Sequence, residues 1–339
     1  MIPSTIGPIL DAALLNNHPV MLVGGPGTAK TDMGTQSTAR VGFDLLTSHP
    51  VVQQSIDYKG MPWVYNQDGK IFASWVPYGD MRVLIEATSP LVFFIDDLGQ
   101  APDDVQAAVM QLLLKREIDG HKISEHVRFI AATNRRQDRA GVRGVLDPVK
   151  GRFITIIQVE VDAEDWVRWG LTHGMPPILL AYIRMNPNML LKGDPTPDIV
   201  NVANPRTVAA VGKIITAKHP YPQEALYELI EGAAGAEFAA DFYPWLANAN
   251  KLPNIDAIIQ KPKQAPIPDD DPSVLLLICT ALAARADMVN FDNIVTYAKR
   301  LPMEFSTRMM YDIGASKKDL TQTSAYIDWQ VNQGQSALN

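Results

Sequence analysis

The chain has 339 residues, 47% of them hydrophobic and 20% charged, which suits two or three soluble domains with sizeable cores. Its formal net charge of −7 argues against a general affinity for nucleic acids. The one cysteine, Cys279, excludes an internal disulfide framework and lies in an apolar run, which predicts a buried thiol. Because no apolar run reaches membrane-spanning length and the first residues do not resemble a signal peptide, we expect a cytoplasmic protein.

Short apolar runs alternate with helical patterns through the first half of the chain. Apolar runs separated by helices are typical of a parallel α/β sheet. Residues 60–79 are rich in glycine and proline, so they are expected to be loop with short extended pieces around Trp63 and Phe72. The dipeptide Asp119-Gly120 predicts a tight hairpin. The other predicted elements are helices at 6–15, about 31–40 and 103–116, and strands at 20–23, 51–56, 91–95, 127–132 and 153–159.

Beyond Asp162 the pattern is helical, with no further strand signal. Helices are predicted at 166–171, 177–185, 205–217, 223–238 and 273–288. A stiff, polar, proline-rich connector separates the last of these from the others. The predicted domains are an α/β domain at 1–161, an α-helical domain at 162–260, the connector at 261–272 and a helical extension at 273–339.

A glycine-rich turn follows the first predicted strand and ends in Lys-Thr. Glycines let several backbone N–H groups approach a phosphate, and the following helix adds the positive end of its dipole. We therefore predict a triphosphate-binding loop, with Lys30 on the β- and γ-phosphates and Thr31 on Mg²⁺. Ala29 occupies the position of an expected glycine, which predicts helical backbone there because alanine disfavours a positive φ. An ordinary glycine turn with a solvated lysine is the alternative for this segment, which reads Gly24-Gly25-Pro26-Gly27-Thr28-Ala29-Lys30-Thr31.

Two other predicted strands end in polar side chains that could serve the same site. Asp96 and Asp97 follow the strand at 91–95, and Asn134 follows the strand at 127–132. Ligands of α/β folds bind at the carboxyl edge of the sheet, where these side chains should lie. We expect Asp96 to hold Mg²⁺ through water, Asp97 to orient or deprotonate the attacking water, and Asn134 to reach the γ-phosphate or that water. Simple capping of strand-to-loop turns is the alternative.

Together these three segments, in this order and spacing, resemble the Walker A, Walker B and sensor 1 motifs of AAA+ ATPases. The alanine before Lys30 resembles the loop of the MoxR branch, and the hairpin at Asp119-Gly120 resembles its pre-sensor insertion. The resemblance covers roughly residues 5–215 and implies a parallel sheet of strand order 5-1-4-3-2, an all-α lid and a C-terminal helical region. It also implies ATP and Mg²⁺ as cofactors. Most family members carry Glu where Asp97 stands, so the shorter carboxylate puts fast turnover in doubt.

The resemblance also implies arginines at the nucleotide. Asn204-Pro205-Arg206 is similar to the sensor 2 signature, which makes Arg206 a nucleotide-contacting candidate. The segment from Leu146 to Phe153 resembles the one that carries an arginine finger, so Arg152 is the expected finger and Arg143 the reserve. A finger from a neighbouring subunit would stabilise charge on the transferred phosphoryl group. We refer to residues 135–152 as the basic segment. Its basic residues are Arg135, Arg136, Arg139, Arg143, Lys150 and Arg152.

The sequence thus predicts a MoxR-like AAA+ ATPase that forms a homo-oligomeric ring, most simply a hexamer, and remodels a protein or metal-centre client. The resemblance suggests a partner with a von Willebrand factor A domain. Two alternatives stay open: a DNA-acting AAA+ motor or loader that uses the basic segment, and an ATP-stabilised scaffold with little turnover. We expect Trp63, Trp75, Trp166 and Trp169 to be core or interface residues rather than base-stacking platforms.

Overall fold

The computed structural model describes residues 1–138, 141, 143–193, 198–248, 254–268 and 271–331. Two compact units make up the chain, Met1–Val161 and Asp162–Asn339. Arg139 of the basic segment, Asp269 and Asp270 of the connector, and the last residues of the predicted extension lie outside the described residues. The predicted division of the second unit at residues 261–272 stays a prediction.

The first unit alternates strands and helices along the chain. Its elements are α1 (Pro3–Leu15), β1 (Val20–Val23), α2 (Lys30–Val41), β2 (Asp44–Ser48), α3 (Ser55–Lys59), β3 (Met61–Gln67), β4 (Lys70–Val76), α4 (Gly79–Glu86), β5 (Leu91–Ile95), α5 (Asp103–Lys115), β6 (Glu117–Ile118), β7 (His121–Lys122), β8 (Val127–Thr133), α6 (Asp147–Lys150) and β9 (Thr155–Gln158). The hairpin predicted at Asp119-Gly120 is present as β6 and β7.

Among the described residues, five parallel strands form one sheet in the order β2-β5-β8-β1-β9. Numbered along the chain, these five strands have the order 2-3-4-1-5, so the predicted order 5-1-4-3-2 is confirmed. Every residue of β5 is buried, because helices and loops cover a parallel sheet on both faces. On one face Ile6, Leu10 and Leu14 of α1 join the sheet core. The carboxyl ends of β1, β5 and β8 therefore meet at one edge of the sheet.

The second strand does not lie where the sequence predicted it. The prediction was residues 51–56, whereas the strand is β2, which pairs with β5 from Asp44 to Ser48. The apolar pair Val51 and Val52 lies in an exposed turn after Pro50. As an edge strand, β2 is partly exposed and carries polar residues, so its sequence gives only a weak strand signal. The two β-branched residues Val51 and Val52 gave a stronger signal, because such residues are common in strands.

The second unit consists of helices, and among its described residues the one bridge between extended segments joins Lys192 and Ala203. The helix predicted at 223–238 is interrupted at Gly235, whose φ is 92° and where a β-carbon would lie 2.6 Å from the Asn201 carbonyl oxygen. The helices are α7 (Ala163–Thr172), α8 (Pro177–Met185), α9 (Pro205–Ile215), α10 (Leu226–Ala234), α11 (Ala236–Asn248), α12 (Ile255–Gln260), α13 (Pro272–Arg285), α14 (Phe291–Ala298), α15 (Met303–Ser316) and α16 (Ser324–Trp329).

The second unit is packed through an aromatic cluster between α8 and α11 and through a larger apolar core around α13. Tyr182 of α8 contacts Phe238, Phe242 and Trp245 of α11 through its ring. The apolar face of α13 belongs to a core that extends to Trp329. None of the helices in the described part of the chain is both long and apolar enough to cross a membrane.

Cys279 lies in the α13 core, as the sequence predicted. Burial, together with the nearby Asp312 carboxylate, raises the pKa of the Cys279 thiol to about 12. Since the thiolate is the nucleophile, we expect no alkylation of native protein by iodoacetamide at pH 8, but rapid alkylation in guanidinium chloride. Mass spectrometry of samples quenched over time measures both rates. Alkylation of the native protein at the rate of the unfolded chain would contradict this assignment.

Candidate functional site

The loop between β1 and α2 is closely packed against the rest of the first unit. At Gly24, a β-carbon would lie 3.0 Å from the Thr28 hydroxyl oxygen and 3.2 Å from the Val159 carbonyl oxygen, so a larger residue would displace the loop. The Thr28 hydroxyl donates to the Gly25 carbonyl oxygen at 2.8 Å. Gly27 has a φ of 71°, which glycine adopts without strain. These contacts fix a curved backbone just before the N-terminus of α2.

Ala29 does not have the helical backbone that we predicted for it. Its φ and ψ are 63° and 24°, in the left-handed region, and it is the N-cap of α2. A non-glycine residue pays roughly 1–2 kcal/mol there, because its β-carbon approaches the following carbonyl oxygen. The loop therefore keeps the conformation that a glycine would favour, with alanine under strain. Such strain persists only where the surrounding structure holds it in place, and it is typical of functional loops.

Lys30 begins α2, and its side chain is largely buried, with 7% of the residue exposed. Its ammonium group donates to the carbonyl oxygens of Gly24 and Gly25 at 3.0 and 2.8 Å. It also donates to Oδ1 of Asn134 at 2.8 Å. Because a lysine ammonium has three N–H donors, these bonds hold it between the loop and the end of β8.

The carboxylates of Asp96 and Asp97, after β5, lie beside the same loop and Asn134. Thr31 donates its hydroxyl hydrogen to Oδ2 of Asp96 at 2.8 Å, and the other Asp96 oxygen accepts from the Asp97 backbone N–H at 3.0 Å. Oδ1 of Asp97 accepts from the Asn134 side chain at 3.2 Å and from that of Gln100 at 3.3 Å. Asn134 thus bridges Lys30 and Asp97. The structure brings the P-loop, both aspartates and Asn134 together in one hydrogen-bonded cluster.

Asp97 also has a left-handed backbone, with a φ of 54°. Aspartate tolerates this region better than most residues, and the turn starts a short 3-10 helix, Leu98–Gln100. Gln100, at the end of that helix, is a neighbour of Asp97 that the sequence analysis missed. The sequence did contain a signal for this contact, because Gln100 is three residues after Asp97. One turn of a 3-10 helix places residues at that spacing on the same side.

The donor set fits the nucleotide and metal that the sequence predicted. A buried ammonium and the N-terminus of α2 provide positive potential beside a loop with no side chain at Gly24. The Thr31 hydroxyl and the Asp96 carboxylate supply adjacent oxygen ligands, which Mg²⁺ prefers.

Residues of the basic segment line part of a cavity of about 860 Å³ in the first unit, next to the cluster. Two of its cations are paired, Arg135 with Asp138 at 2.9 Å and Lys150 with Asp147 at 2.7 Å. Arg143 lines this cavity and is exposed. Its lining also includes Asn134, Arg135, Arg136, Asp147 and Lys150.

The arginines proposed for phosphate contact are not part of the hydrogen-bonded cluster described above. Arg152 is partly buried, and its Nε atom is buried without a hydrogen-bond partner. Arg206 lies in the second unit, in the first turn of α9, where its side chain is exposed. The Asn204 side chain caps that helix by accepting from the backbone N–H groups of Arg206 and Thr207.

A P-loop that meets two aspartates and an asparagine at the ends of neighbouring strands, on a sheet of order 5-1-4-3-2, defines an AAA+ nucleotide-binding fold. Residues 19–153 match the family model described as the AAA domain of the dynein-related subfamily, so the chain contains an AAA domain. The matched segment is less than half of the chain. No curated protein shows significant similarity to this sequence.

Solved structures with a similar fold include two bacterial proteins. The RuvB Holliday junction branch migration motor of Thermotoga maritima is 14% identical, with a TM-score of 0.40, and the alignment covers 85% of this chain and 83% of RuvB. NtrX of Brucella abortus, in complex with ADP, is 14% identical with a TM-score of 0.37, and the alignment covers 96% of this chain and 65% of NtrX.

Proposed function

We propose that this protein is a Mg²⁺-dependent ATPase of the MoxR-like type, which binds and hydrolyses ATP between copies of itself in a ring. The observation that carries the proposal is the cluster in which Lys30, Asn134 and Asp97 are hydrogen-bonded in series. A change at Lys30 when phosphate binds would be transmitted to the Asp97 carboxylate through the Asn134 side chain, which is bonded to both. The proposed work of the ring is to remodel a protein or metal-centre client, together with a partner that has a von Willebrand factor A domain.

Each group in the cluster has a distinct task in this proposal. The backbone from Gly24 to Thr31 and the Lys30 ammonium bind the phosphates. Thr31 and Asp96 would hold Mg²⁺, which when bound neutralises phosphate charge. Asp97 orients the attacking water and takes its proton. Asn134 holds the Asp97 carboxylate and the Lys30 ammonium in position through its hydrogen bonds to both.

We expect Asp97→Asn to lower the rate of ATP hydrolysis by about 100-fold or more while ATP affinity stays within a few fold. The reason is that the amide keeps the shape but cannot accept the proton, and general-base catalysis contributes about 10²–10⁴-fold. Steady-state phosphate release and titration calorimetry measure the two quantities. Gln100→Ala is the matched control, since it removes a neighbour of Asp97 but no proton acceptor. A rate as high in Asp97→Asn as in the wild type would refute the role of this carboxylate.

Arg152 is proposed to act on the nucleotide of a neighbouring copy. We expect Arg152→Ala to retain ATP binding and to lose turnover by a factor of about 10³ or more, because a trans cation stabilises the transferring phosphoryl group. Arg143→Ala, in the same segment, is the comparison and should hydrolyse ATP normally. Doping Arg152→Ala into wild-type protein should lower the rate of the mixture, as expected for a site shared between copies. Undiminished hydrolysis by Arg152→Ala would exclude it as the finger.

A nucleotide-stabilised scaffold is the second candidate, and the short carboxylate of Asp97 is the observation that favours it. Asp97 is one methylene shorter than the Glu that most members of the AAA+ family carry at this position, and its backbone is left-handed. ATP-dependent assembly without hydrolysis above background would support this alternative. A DNA-acting motor is less well supported, because two of the cations around the basic cavity are already paired with aspartates. Salt-sensitive DNA binding with DNA-stimulated hydrolysis would favour it.

A further inference from the structure

The residues that follow β8 connect the P-loop to the turn after β5. Thr133, the last residue of β8, is 3% exposed. Its carbonyl oxygen accepts from the Gly24 N–H at 3.3 Å, and its hydroxyl oxygen accepts from the Gly99 N–H at 3.2 Å. The next residue, Asn134, is also bonded to side chains on both sides. The position of the P-loop relative to the turn after β5 therefore depends on this short segment.

Arg135, the third residue of the segment, lies beside the P-loop. At Gly25, a β-carbon would lie 3.4 Å from Nη2 of Arg135 and 3.9 Å from Oδ2 of Asp138. The guanidinium group therefore borders the loop at the residue whose carbonyl oxygen accepts from the Lys30 ammonium. Arg135 is covalently joined to Asn134, which accepts from the same ammonium. The contacts thus form a closed ring between the P-loop and the end of β8.

The buried carboxylate of Asp138 holds Arg135 in this position. Its Oδ2 accepts from Nε at 3.0 Å and from the Arg135 backbone N–H at 3.1 Å, and its Oδ1 accepts from Nη2 at 2.9 Å. Two parallel bonds between a guanidinium and a carboxylate fix the relative orientation of the two groups. The Asp138 backbone N–H also donates to the Arg135 carbonyl oxygen at 3.1 Å. Both the main chain and the side chain of Arg135 are therefore bonded to one residue, which is 8% exposed.

A second ion pair of the basic segment has the same spacing but a different setting. Lys150 donates to Asp147 at 2.7 Å, and 92% of the Asp147 side chain is exposed. Neither residue is among the nearest neighbours of Gly24 or Gly25. An exposed pair of this kind contributes little to stability. It therefore serves as an internal comparison for the pair that borders the P-loop.

We propose that Asp138 and Arg135 are positioning residues for ATP hydrolysis, and we call the two residues the brace. The brace keeps the P-loop at a fixed distance from Asn134, so that the Lys30 ammonium and the Asp97 carboxylate stay aligned. Neither residue of the brace takes a proton or contacts the reacting atoms. The proposal rests on the proposed ATPase function and adds the residues that hold its parts in place.

Loss of the brace is expected to affect turnover more than ATP binding. The backbone N–H groups of the loop and the Lys30 ammonium remain after the loss, so the phosphates still bind. What changes is the position of Asn134, and with it the alignment of Asp97. A misplacement of about 1 Å can lower a rate about 10²-fold. The expected signature is therefore a lower kcat at a nearly unchanged KM.

Asp138→Asn tests this signature, because the amide replaces an accepting oxygen by a donor that faces the Arg135 guanidinium. We expect kcat for ATP hydrolysis to fall at least about tenfold, while KM changes by less than about threefold. Arg135→Met should have the same effect. Asp147→Asn, the same substitution in the comparison pair, should leave both constants unchanged. An unchanged kcat in Asp138→Asn, or an equal loss in Asp147→Asn, would overturn the proposal.

The dependence on Asn134 distinguishes positioning from a general loss of structure. Substitutions that act through one shared group are not additive. In an Asn134→Ala background, Asp138→Asn should therefore change kcat by less than about twofold. A further loss as large as in the wild-type background would contradict action through Asn134. Thermal denaturation of each variant shows that it is folded at the assay temperature.

Hydrogen exchange tests the brace without any hydrolysis. In nucleotide-free protein, the backbone N–H groups of residues 24–31 should exchange at least about tenfold faster in Asp138→Asn than in the wild type. Asp147→Asn should exchange at the wild-type rate, and mass spectrometry of peptides from this segment measures both. Unchanged exchange in Asp138→Asn would overturn the brace. A wild-type chain that hydrolyses no ATP, but whose loop responds in this way, would contradict the proposed ATPase and support the brace.

Discussion

Replacement of Lys30 by alanine is expected to abolish measurable ATP binding. A charge-assisted hydrogen bond contributes about 1.5–3 kcal/mol, so loss of two such bonds to phosphates lowers affinity roughly 10²–10⁴-fold. In the structure the Lys30 ammonium already lies within the loop, bonded to Gly24, Gly25 and Asn134. Titration calorimetry with ATP and Mg²⁺ measures the loss.

The control for this prediction is Lys115→Ala, which removes an exposed lysine from the end of α5. It should bind ATP like the wild type. Lys30→Ala removes hydrogen bonds to three oxygens and so lowers stability as well. Thermal denaturation therefore separates a loss of binding from a loss of fold. If folded Lys30→Ala bound ATP with unchanged affinity, the loop would not be the phosphate site.

The second large effect is expected from the buried ion pair of the second unit. Arg184 of α8 donates to both oxygens of Asp312 of α15, at 2.8 and 2.9 Å, with side-chain exposures of 6% and 1%. Arg184→Met leaves a buried carboxylate without its main partner, which costs about 3–5 kcal/mol. For a unit of this size, about 1 kcal/mol lowers Tm by roughly 2–4 °C. We therefore expect the unfolding transition of residues 162–339 to fall by about 6–20 °C.

The double variant Arg184→Met with Asp312→Leu makes the second test specific. Replacing both partners of a buried pair by apolar residues is often neutral, so the double variant should regain most of the lost stability. Arg82→Met, which breaks an exposed pair with Glu86, should change stability by less than about 1 kcal/mol. Urea denaturation followed by circular dichroism gives the free energies. If the double variant were less stable than Arg184→Met, the pair would not be the reason for the effect.

Much of the site could be predicted from sequence because its chemistry is local. The loop from Gly24 to Thr31 has a composition that is typical of phosphate-binding loops. The aspartates directly follow a strand that is apolar throughout, and Asn134 follows one that is mostly apolar. Strand order followed from the resemblance to AAA+ domains, and the structure confirms it. Burial on both faces gives such strands a strong signal.

Other features depend on long-range packing and could not be predicted. The edge strand β2 is polar because solvent covers one side of it, so the neighbouring pair Val51 and Val52 gave the stronger but wrong signal. The left-handed backbone of Ala29 is imposed by the loop's contacts against its own preference. The sequence also could not separate buried from exposed tryptophans. Trp166 is buried, whereas Trp63, in the hairpin of β3 and β4, is 61% exposed.

The central claim is that copies of this protein hydrolyse Mg-ATP at sites that they share. The most direct test is the steady-state rate of phosphate release per chain, measured as a function of protein concentration with Mg²⁺ and with EDTA. We expect a Mg²⁺-dependent rate per chain that rises with protein concentration and then levels off as assembly completes. A rate at background level at every concentration, or one that is unaffected by EDTA, would contradict it.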